Sequence, residues 1–127
     1  KAAERDQIMD LCGAARILER LPSGYQTPLA SSEISPHEAR SIALAASILQ
    51  RKQILLLDDP FESVGLAQTR KILEYLAALR DHTIVIAMTR PKGLDWFDRV
   101  LVMNAGELVF DGSERARQLH QGTEMDP

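Results

Sequence analysis

Apolar residues in the first part of the chain recur at the spacing of an α-helix. They lie three or four positions apart, with charged side chains between them: Ile8, Leu11, Ala15, Leu18 and Leu21. This pattern predicts one amphipathic helix over residues 4–21. The helix is expected to end at Pro22, Ser23 and Gly24, because proline and glycine terminate helices. Residues 22–33 are mostly polar and contain two prolines, which indicates a loop.

Two further helices are predicted from their first residues and from their spacing. Ser35 is suited to cap a helix whose first position is Pro36, and Glu38 completes a capping box with Ser35. The helix that follows is rich in alanine, which permits its neighbours to pack closely. Leucines at helical spacing predict another helix, from about Leu66 to Arg80.

Three apolar runs predict β-strands. Residues 54–57 and 83–88 show no clean alternation, which is typical of strands that are buried on both faces of a parallel sheet. Because a helix lies between them, they predict a β-α-β unit with a right-handed crossover. Residues 99–103 predict a third strand, and the turn residues 104–107 lead into residues 108–110 as an antiparallel hairpin. The order of elements predicts an α/β fold, with a mostly parallel sheet, flanking helices and a C-terminal β-hairpin.

Composition and charge exclude several classes of protein. The chain has 127 residues, of which 45% are hydrophobic and 26% are charged, as in one globular domain. A net charge of −3 and the lack of any lysine or arginine run argue against nucleic-acid binding. Cys12 is the only cysteine, and His37, His82 and His120 fit no metal-ligand spacing. No apolar stretch approaches the roughly 18 residues that a membrane span needs.

The candidate chemistry lies where the first strand ends, at Asp58, Asp59 and Pro60. Open α/β sheets place their ligand crevices at the carboxyl ends of strands. Two adjacent carboxylates there are costly to desolvate unless they meet a cation, which favours Mg²⁺ with phosphate. A strand that ends in a polar turn is an equally good interpretation, because Asp-Pro commonly starts turns. The residues alone leave both interpretations open.

Five segments of the chain form a series. They are residues 21–27, Ile34–Glu38, Ile54–Pro60, Thr83–Arg90, and Asp98–Met103 with Gly106 and Gly112. In this order they resemble the C-terminal half of the nucleotide-binding domain of an ABC transporter, of the exporter or type I secretion kind. The corresponding family segments are the stretch before the signature motif, the signature motif, Walker B, the strand leading to the switch histidine, and the closing hairpin. The resemblance covers residues 18–119 and implies a partial P-loop NTPase fold.

The resemblance implies roles for the residues at the end of the first two strands. Asp58 matches the Walker B aspartate, which in the family holds Mg²⁺ through water. Asp59 replaces the catalytic glutamate and is one methylene shorter, so a base there would fall short by about an ångström. Arg90 stands at the position of the switch histidine, where it can contact a γ-phosphate but cannot titrate. A surface arginine before Pro91 is an equally good interpretation.

The resemblance places Ser35, Pro36, His37 and Glu38 at the signature motif, which in the family binds the γ-phosphate of ATP held by the opposing subunit. Only the serine matches, because proline has no N–H to donate and Glu38 brings a negative charge. A helix cap explains these residues better than phosphate binding does. Residues 61–65 occupy the D-loop and lack its aspartate.

The resemblance also implies ligands, partners and location. ATP and Mg²⁺ are expected in a full-length parent, and none on this fragment, because the Walker A and glutamine loops precede this segment in the family. The implied partners are a transmembrane domain and a second nucleotide-binding domain, as homodimer or heterodimer, with no nucleic acid. The parent is expected at the cytoplasmic face of the inner or plasma membrane. The fragment itself is expected to be soluble and to self-associate.

The implied function is part of an ATPase that couples ATP binding and hydrolysis to export, at a degenerate site that is slow or inactive. Residues 1–50 are assigned to the helical portion with the signature helix, residues 51–121 to the segment from Walker B to a last helix capped by Ser113, and residues 122–127 to a flexible tail. The opening Lys1 is interpreted as a cut from a longer chain.

Two alternatives stand beside this interpretation. One is a non-catalytic ABC-like module for dimerisation or regulation, which the degenerate motifs favour. The other is a receiver-like signalling domain, which also has a strand that ends in Asp-Asp. That fold needs a phospho-accepting aspartate after a later strand, whereas the later strands here end in Met88-Thr89 and Met103-Asn104.

Overall fold

The computed structural model describes residues 2–62, 64–114 and 118. The chain divides into two compact units, residues 1–90 and residues 91–127. The first unit contains, in order, α1 (Ala2–Leu11), α2 (Ala14–Arg20), α3 (Pro36–Leu49), β1 (Ile54–Asp58), α4 (Leu66–Ala77) and β2 (Thr83–Ala87). The second unit contains β3 (Val100–Asn104) and β4 (Glu107–Gly112). Short 3₁₀ turns occur at Gly24–Gln26 and Leu94–Trp96.

The N-terminal helical segment is two helices, so the prediction of one helix over residues 4–21 is wrong. Gly13 separates them with φ of 72°, in the left-handed region that glycine adopts without strain. The Gly13 N–H donates to the Asp10 carbonyl at 3.0 Å, which closes the end of α1. Both helices still bury apolar side chains, with Ile8 on α1 and Ala14 on α2 fully enclosed. The apolar spacing therefore continues across the break between α1 and α2, and it does not predict that break.

The start of α3 confirms the predicted capping box. The Ser35 hydroxyl oxygen accepts from the Glu38 N–H at 3.2 Å, and the Ser35 N–H donates to Glu38 Oε2 at 2.9 Å. Pro36 occupies the first turn, where its missing N–H costs nothing. The helix packs against α1, α2 and β1. Its buried residues are Leu44, Ala45 and Ile48.

The parallel pair of strands confirms the β-α-β unit. β1 and β2 are hydrogen-bonded in parallel, with Ile54 opposite Thr83 and Asp58 opposite Ala87. The intervening helix α4 ends at Ala77, slightly earlier than the sequence predicts. Its buried side chains are Thr69, Ile72, Leu73 and Leu76.

The burial of these strands corrects the prediction that both faces are covered. On β1, Leu55 and Leu57 are buried, whereas Ile54 and Leu56 are 65% and 71% exposed. Val85 on β2 is 53% exposed. Only one face of the pair is covered within the described part of the chain. When both faces of a strand carry apolar residues, the sequence shows no alternation of apolar and polar positions. That pattern does not show whether another element covers each face.

The C-terminal hairpin is also confirmed. β3 and β4 are antiparallel, with Asn104 opposite Glu107. The two residues between them, Ala105 and Gly106, have φ of 47° and 83°, as a type I′ turn requires. Arg99 donates to both carboxylate oxygens of Asp111, at 2.7 and 2.6 Å. The predicted last helix and the tail at residues 122–127 lie outside the described residues, apart from helical positions at 114 and 118.

Gly13→Ala is expected to destabilise the chain by about 1–2 kcal/mol, because an L-residue is strained in the left-handed region. Beyond the two neighbouring residues, no atom lies within 4 Å of the added Cβ, so the loss is assigned to backbone strain and not to a clash. Urea unfolding followed by circular dichroism measures the loss.

The matched control is Gly65→Ala, at a glycine with negative φ and equally open surroundings. At Gly65, alanine is a weaker N-cap, but it also reduces the conformational freedom of the unfolded chain. These effects offset each other, so the free energy of unfolding is expected to change by no more than about 0.5 kcal/mol. Equal losses in the two variants would contradict the assignment of the break to Gly13.

Candidate functional site

Asp58 and Asp59 lie at the carboxyl end of β1. Asp58 is the last residue of the strand, and its side chain is exposed. Within the described residues, nothing hydrogen-bonds the Asp58 carboxylate. Asp59 follows with φ of 42°, and its N–H donates to the Ala87 carbonyl of the neighbouring strand at 2.9 Å. The two adjacent carboxylates therefore have different surroundings, one open to solvent and one turned toward β2.

Among the described residues, Thr89 is the one that hydrogen-bonds the Asp59 carboxylate. The Thr89 N–H donates to Oδ1 at 2.8 Å, and the Thr89 hydroxyl donates to Oδ2 at 2.9 Å. These bonds, the backbone one first, lower the pKa of Asp59 below its ordinary range, and the positive charges of Arg40 and Arg90 act in the same direction. Asp59 is therefore a fixed, ionised side chain.

Two arginines surround this turn from different elements. Arg90 follows Thr89 and is exposed. Arg40 projects from α3 and forms an ion pair with Glu62. The Glu62 N–H donates to the Asp59 carbonyl at 3.3 Å, so the turn after β1 is bound to both the sheet and α3.

The residues that the resemblance places at the signature motif form a separate network at the start of α3. The Ser35 hydroxyl donates to Glu38 Oε2 at 2.9 Å, in addition to the two bonds of the capping box. Arg20 of α2 donates to Glu38 Oε1 at 2.8 Å and to the Glu33 carbonyl at 3.1 Å. The pKa of Glu38 is lowered, first by the Ser35 N–H and hydroxyl and then by Arg20.

The start of α3 does not fit a phosphate in this arrangement. A helix N-terminus binds anions through free N–H groups. Here Pro36 has no N–H, and the N–H groups of Ser35 and Glu38 are already bonded. The Glu38 carboxylate itself occupies the anion position. His37 is exposed, and it adds no described contact to this network.

Asp58 fits the role of a magnesium ligand better. Mg²⁺ is bound in phosphate-processing sites by one or two carboxylates together with waters and phosphate oxygens. An exposed, unbonded carboxylate at the sheet edge has that donor chemistry. No group of three or more His, Cys, Asp or Glu residues in the described part of the chain could hold a metal ion by itself. Asp58 alone would therefore need a bound phosphate to complete a site.

The structure brings together Asp58, Asp59 and Arg90 at one edge of the sheet. Ser35 and Glu38 have their contacts elsewhere, with each other and with Arg20. Sequence reasoning missed Thr89 and Arg20. Thr89 could have been found, because carboxyl ends of neighbouring parallel strands meet at one edge and each strand is followed there by a polar residue. The contact of Arg20 with Glu38, 18 positions apart, has no local signal.

Comparison with known proteins shows which proteins this chain is similar to. No family model matches the sequence. A glutathione/L-cysteine transport system ATP-binding/permease protein of Escherichia coli is 27% identical over 91% of this chain. A lactococcin-A transport/processing ATP-binding protein of Lactococcus lactis is 31% identical over 87% of it, and a multidrug efflux ATP-binding/permease protein of Mycobacterium bovis is 35% identical over 87%. The solved structure of a bacterial Atm1-family ABC exporter with ATP bound superposes with a TM-score of 0.73 and 27% identity over 96% of the chain.

The chain is a homologue of ABC exporters. The match confirms the resemblance to their ATP-binding portion and the partial P-loop NTPase fold, against the receiver-like alternative. The chain spans 20%, 16% and 10% of the lengths of the three relatives and 22% of the solved exporter chain. Among the described helices, none is long and apolar enough to cross a membrane.

The contribution of Glu38 to stability is expected to depend on pH. Its pKa is lower in the native chain than its ordinary value of 4.5. The contribution is therefore complete above that value and is lost as the pH falls through the lowered native pKa. The difference in unfolding free energy between the wild type and Glu38→Gln, measured by urea titration, should shrink below about pH 4.5.

Glu74→Gln is the matched control, since it removes one carboxylate at an exposed position of α4. A Glu38→Gln difference that stays constant from pH 7 to pH 3 would show that the carboxylate charge does not hold the cap.

Proposed function

We propose that the chain is the C-terminal part of the ATP-binding domain of an ABC-type exporter, which couples ATP binding and hydrolysis to transport. The observation that carries the proposal is the pair Asp58 and Asp59 at the carboxyl end of β1, one carboxylate free and the other fixed against β2. The relatives named above, which are ATP-binding transport proteins, support it. Their cargoes differ, so the proposal extends to export and to no particular substrate.

Each residue at the sheet edge has a role in this proposal. Asp58 would hold Mg²⁺, which when bound would neutralise charge on the phosphates. Asp59 polarises the attacking water as a general base. Arg90 places a fixed positive charge at the position of the switch histidine, where it contacts the γ-phosphate without titrating.

The site is proposed to turn over slowly for two structural reasons. The first is that Asp59 is shorter than glutamate, and a displacement of about 1 Å can cost on the order of a hundredfold in rate. The second is that Ser35, Pro36, His37 and Glu38 present an internal carboxylate, paired with Arg20, where the signature motif would receive a phosphate.

The partners follow from the family. We propose a transmembrane domain and a second nucleotide-binding domain, whose bound ATP faces Ser35. The whole protein is placed by this proposal at the cytoplasmic face of a membrane. The exposed apolar face formed by Ile54, Leu56 and Val85 belongs to the surface that further structure would cover in such an assembly.

A second candidate is a non-catalytic ABC-like module that dimerises and transmits motion. The contacts of Glu38 favour this candidate, because they engage the Ser35 and Glu38 N–H groups that a signature motif would use to bind phosphate. The two candidates differ in whether the complete protein binds and hydrolyses ATP.

The test uses the complete protein that carries this chain, reconstituted with Mg-ATP. We expect ATP binding with slow hydrolysis, and loss of the hydrolysis in Asp58→Asn. Asp59→Glu alone should raise the hydrolysis rate by no more than about tenfold, because the Glu38 carboxylate still occupies the signature position. Adding Pro36→Gly, His37→Gly and Glu38→Gln to it should raise turnover further.

Asp81→Asn is the control for Asp58→Asn, since Asp81 is an exposed aspartate in the turn before β2. Full turnover after Asp59→Glu alone would show that Pro36, His37 and Glu38 do not slow hydrolysis. A protein that binds no ATP would contradict the proposal and leave the non-catalytic module.

The 127-residue chain on its own is expected to self-associate. Its two-stranded parallel sheet has two edges and an exposed apolar face, and such edges recruit other chains. Sedimentation should therefore show a dimer at high micromolar concentration. Leu56→Lys should weaken the dimer, whereas Ala67→Lys, at an exposed position of α4, should not. A monomeric wild type would rule the association out.

A further inference from the structure

Thr89 makes a two-pronged contact that the family resemblance does not assign. Its N–H and its hydroxyl bond different oxygens of Asp59, at 2.8 and 2.9 Å. Two bonds from one residue to the two oxygens of a carboxylate fix the plane of that carboxylate as well as its position. An ionised carboxylate offers about four lone-pair positions, so each Asp59 oxygen keeps one for a water molecule.

The register of the sheet makes this contact possible. Asp58 lies opposite Ala87, so Asp59 begins its turn beside the last residue of β2. The left-handed φ of 42° directs Asp59 across to the segment that follows β2, where Thr89 lies. Arg40 and Arg90 interact with the same carboxylate through their charges. The described hydrogen bonds to its oxygens come from Thr89.

We propose that Thr89 is the positioning residue for Asp59: it orients the carboxylate that polarises the attacking water, while Arg90 supplies only charge. The inference rests on the proposed function, in which Asp59 is the general base.

The test compares Thr89→Val with Thr89→Ser in the complete protein. Valine keeps the shape of threonine and removes the hydroxyl, whereas serine keeps the hydroxyl. We expect Thr89→Val to lower kcat for ATP hydrolysis about tenfold with KM for ATP within about twofold, because a base that has lost its orientation acts on the chemical step. Thr89→Ser should stay within about threefold of the wild type.

Thr83→Val is the matched control, since Thr83 is an exposed threonine at the other end of β2. It should leave kcat unchanged. Equal losses in Thr89→Val and Thr89→Ser would assign the effect to packing and overturn the inference, as would a fully active Thr89→Val.

A second measurement tests the contact without turnover. Hydrogen exchange at the Thr89 amide should be faster in Asp59→Ala than in the wild type, because its acceptor is removed, and unchanged in Thr83→Val. Unchanged exchange in Asp59→Ala overturns the inference. A wild-type protein without ATPase activity contradicts the proposed function, and the exchange result then decides the contact by itself.

Discussion

β1 and β2 run parallel and in register from Ile54–Thr83 to Asp58–Ala87, and their carboxyl ends therefore lie at one edge. The contacts of Asp59 at that edge depend on this pairing. The Asp59 N–H reaches the Ala87 carbonyl, and the Asp59 side chain reaches Thr89 beyond it. A shift of one residue in register would turn the buried Leu55 and Leu57 outward, so the covered face of β1 also fixes the position of its two carboxylates.

The start of α3 shows how local stability and phosphate binding oppose each other at the same atoms. A capping box satisfies the first N–H groups of a helix with side chains of the chain itself, and a phosphate site needs those groups unsatisfied. In this chain Glu38 takes the donors of Ser35, and Arg20 neutralises the carboxylate. The helix gains a well-formed end, and any anion that approaches must displace a carboxylate already bonded there.

The features predicted correctly from the sequence are those with local signals. The cap at Ser35, the order of β1, α4 and β2, and the two-residue turn at Ala105 are each encoded within a few neighbouring residues. The break at Gly13 was missed, because apolar spacing is the same for a glycine within a helix and one in the left-handed region. The open face at Leu56 was missed, because an apolar run does not show what covers it. At the site, the positions of Asp58 and Asp59 followed from the strand, but their different surroundings depend on Thr89, 30 positions away.

The departures from the family pattern form a coherent set when their contacts are considered together. Glu38, which the resemblance places at a glutamine position, is bonded to Ser35 and Arg20. Asp59, which the resemblance places at a glutamate position, is bonded to Thr89. Each replacement thus has a partner of complementary chemistry within the chain. Charge-assisted bonds of this kind are roughly twice as strong as neutral ones. A phosphate that approached the start of α3 would have to displace the bonds of Glu38, whereas at Asp59 bonds of the same kind fix the carboxylate in one orientation.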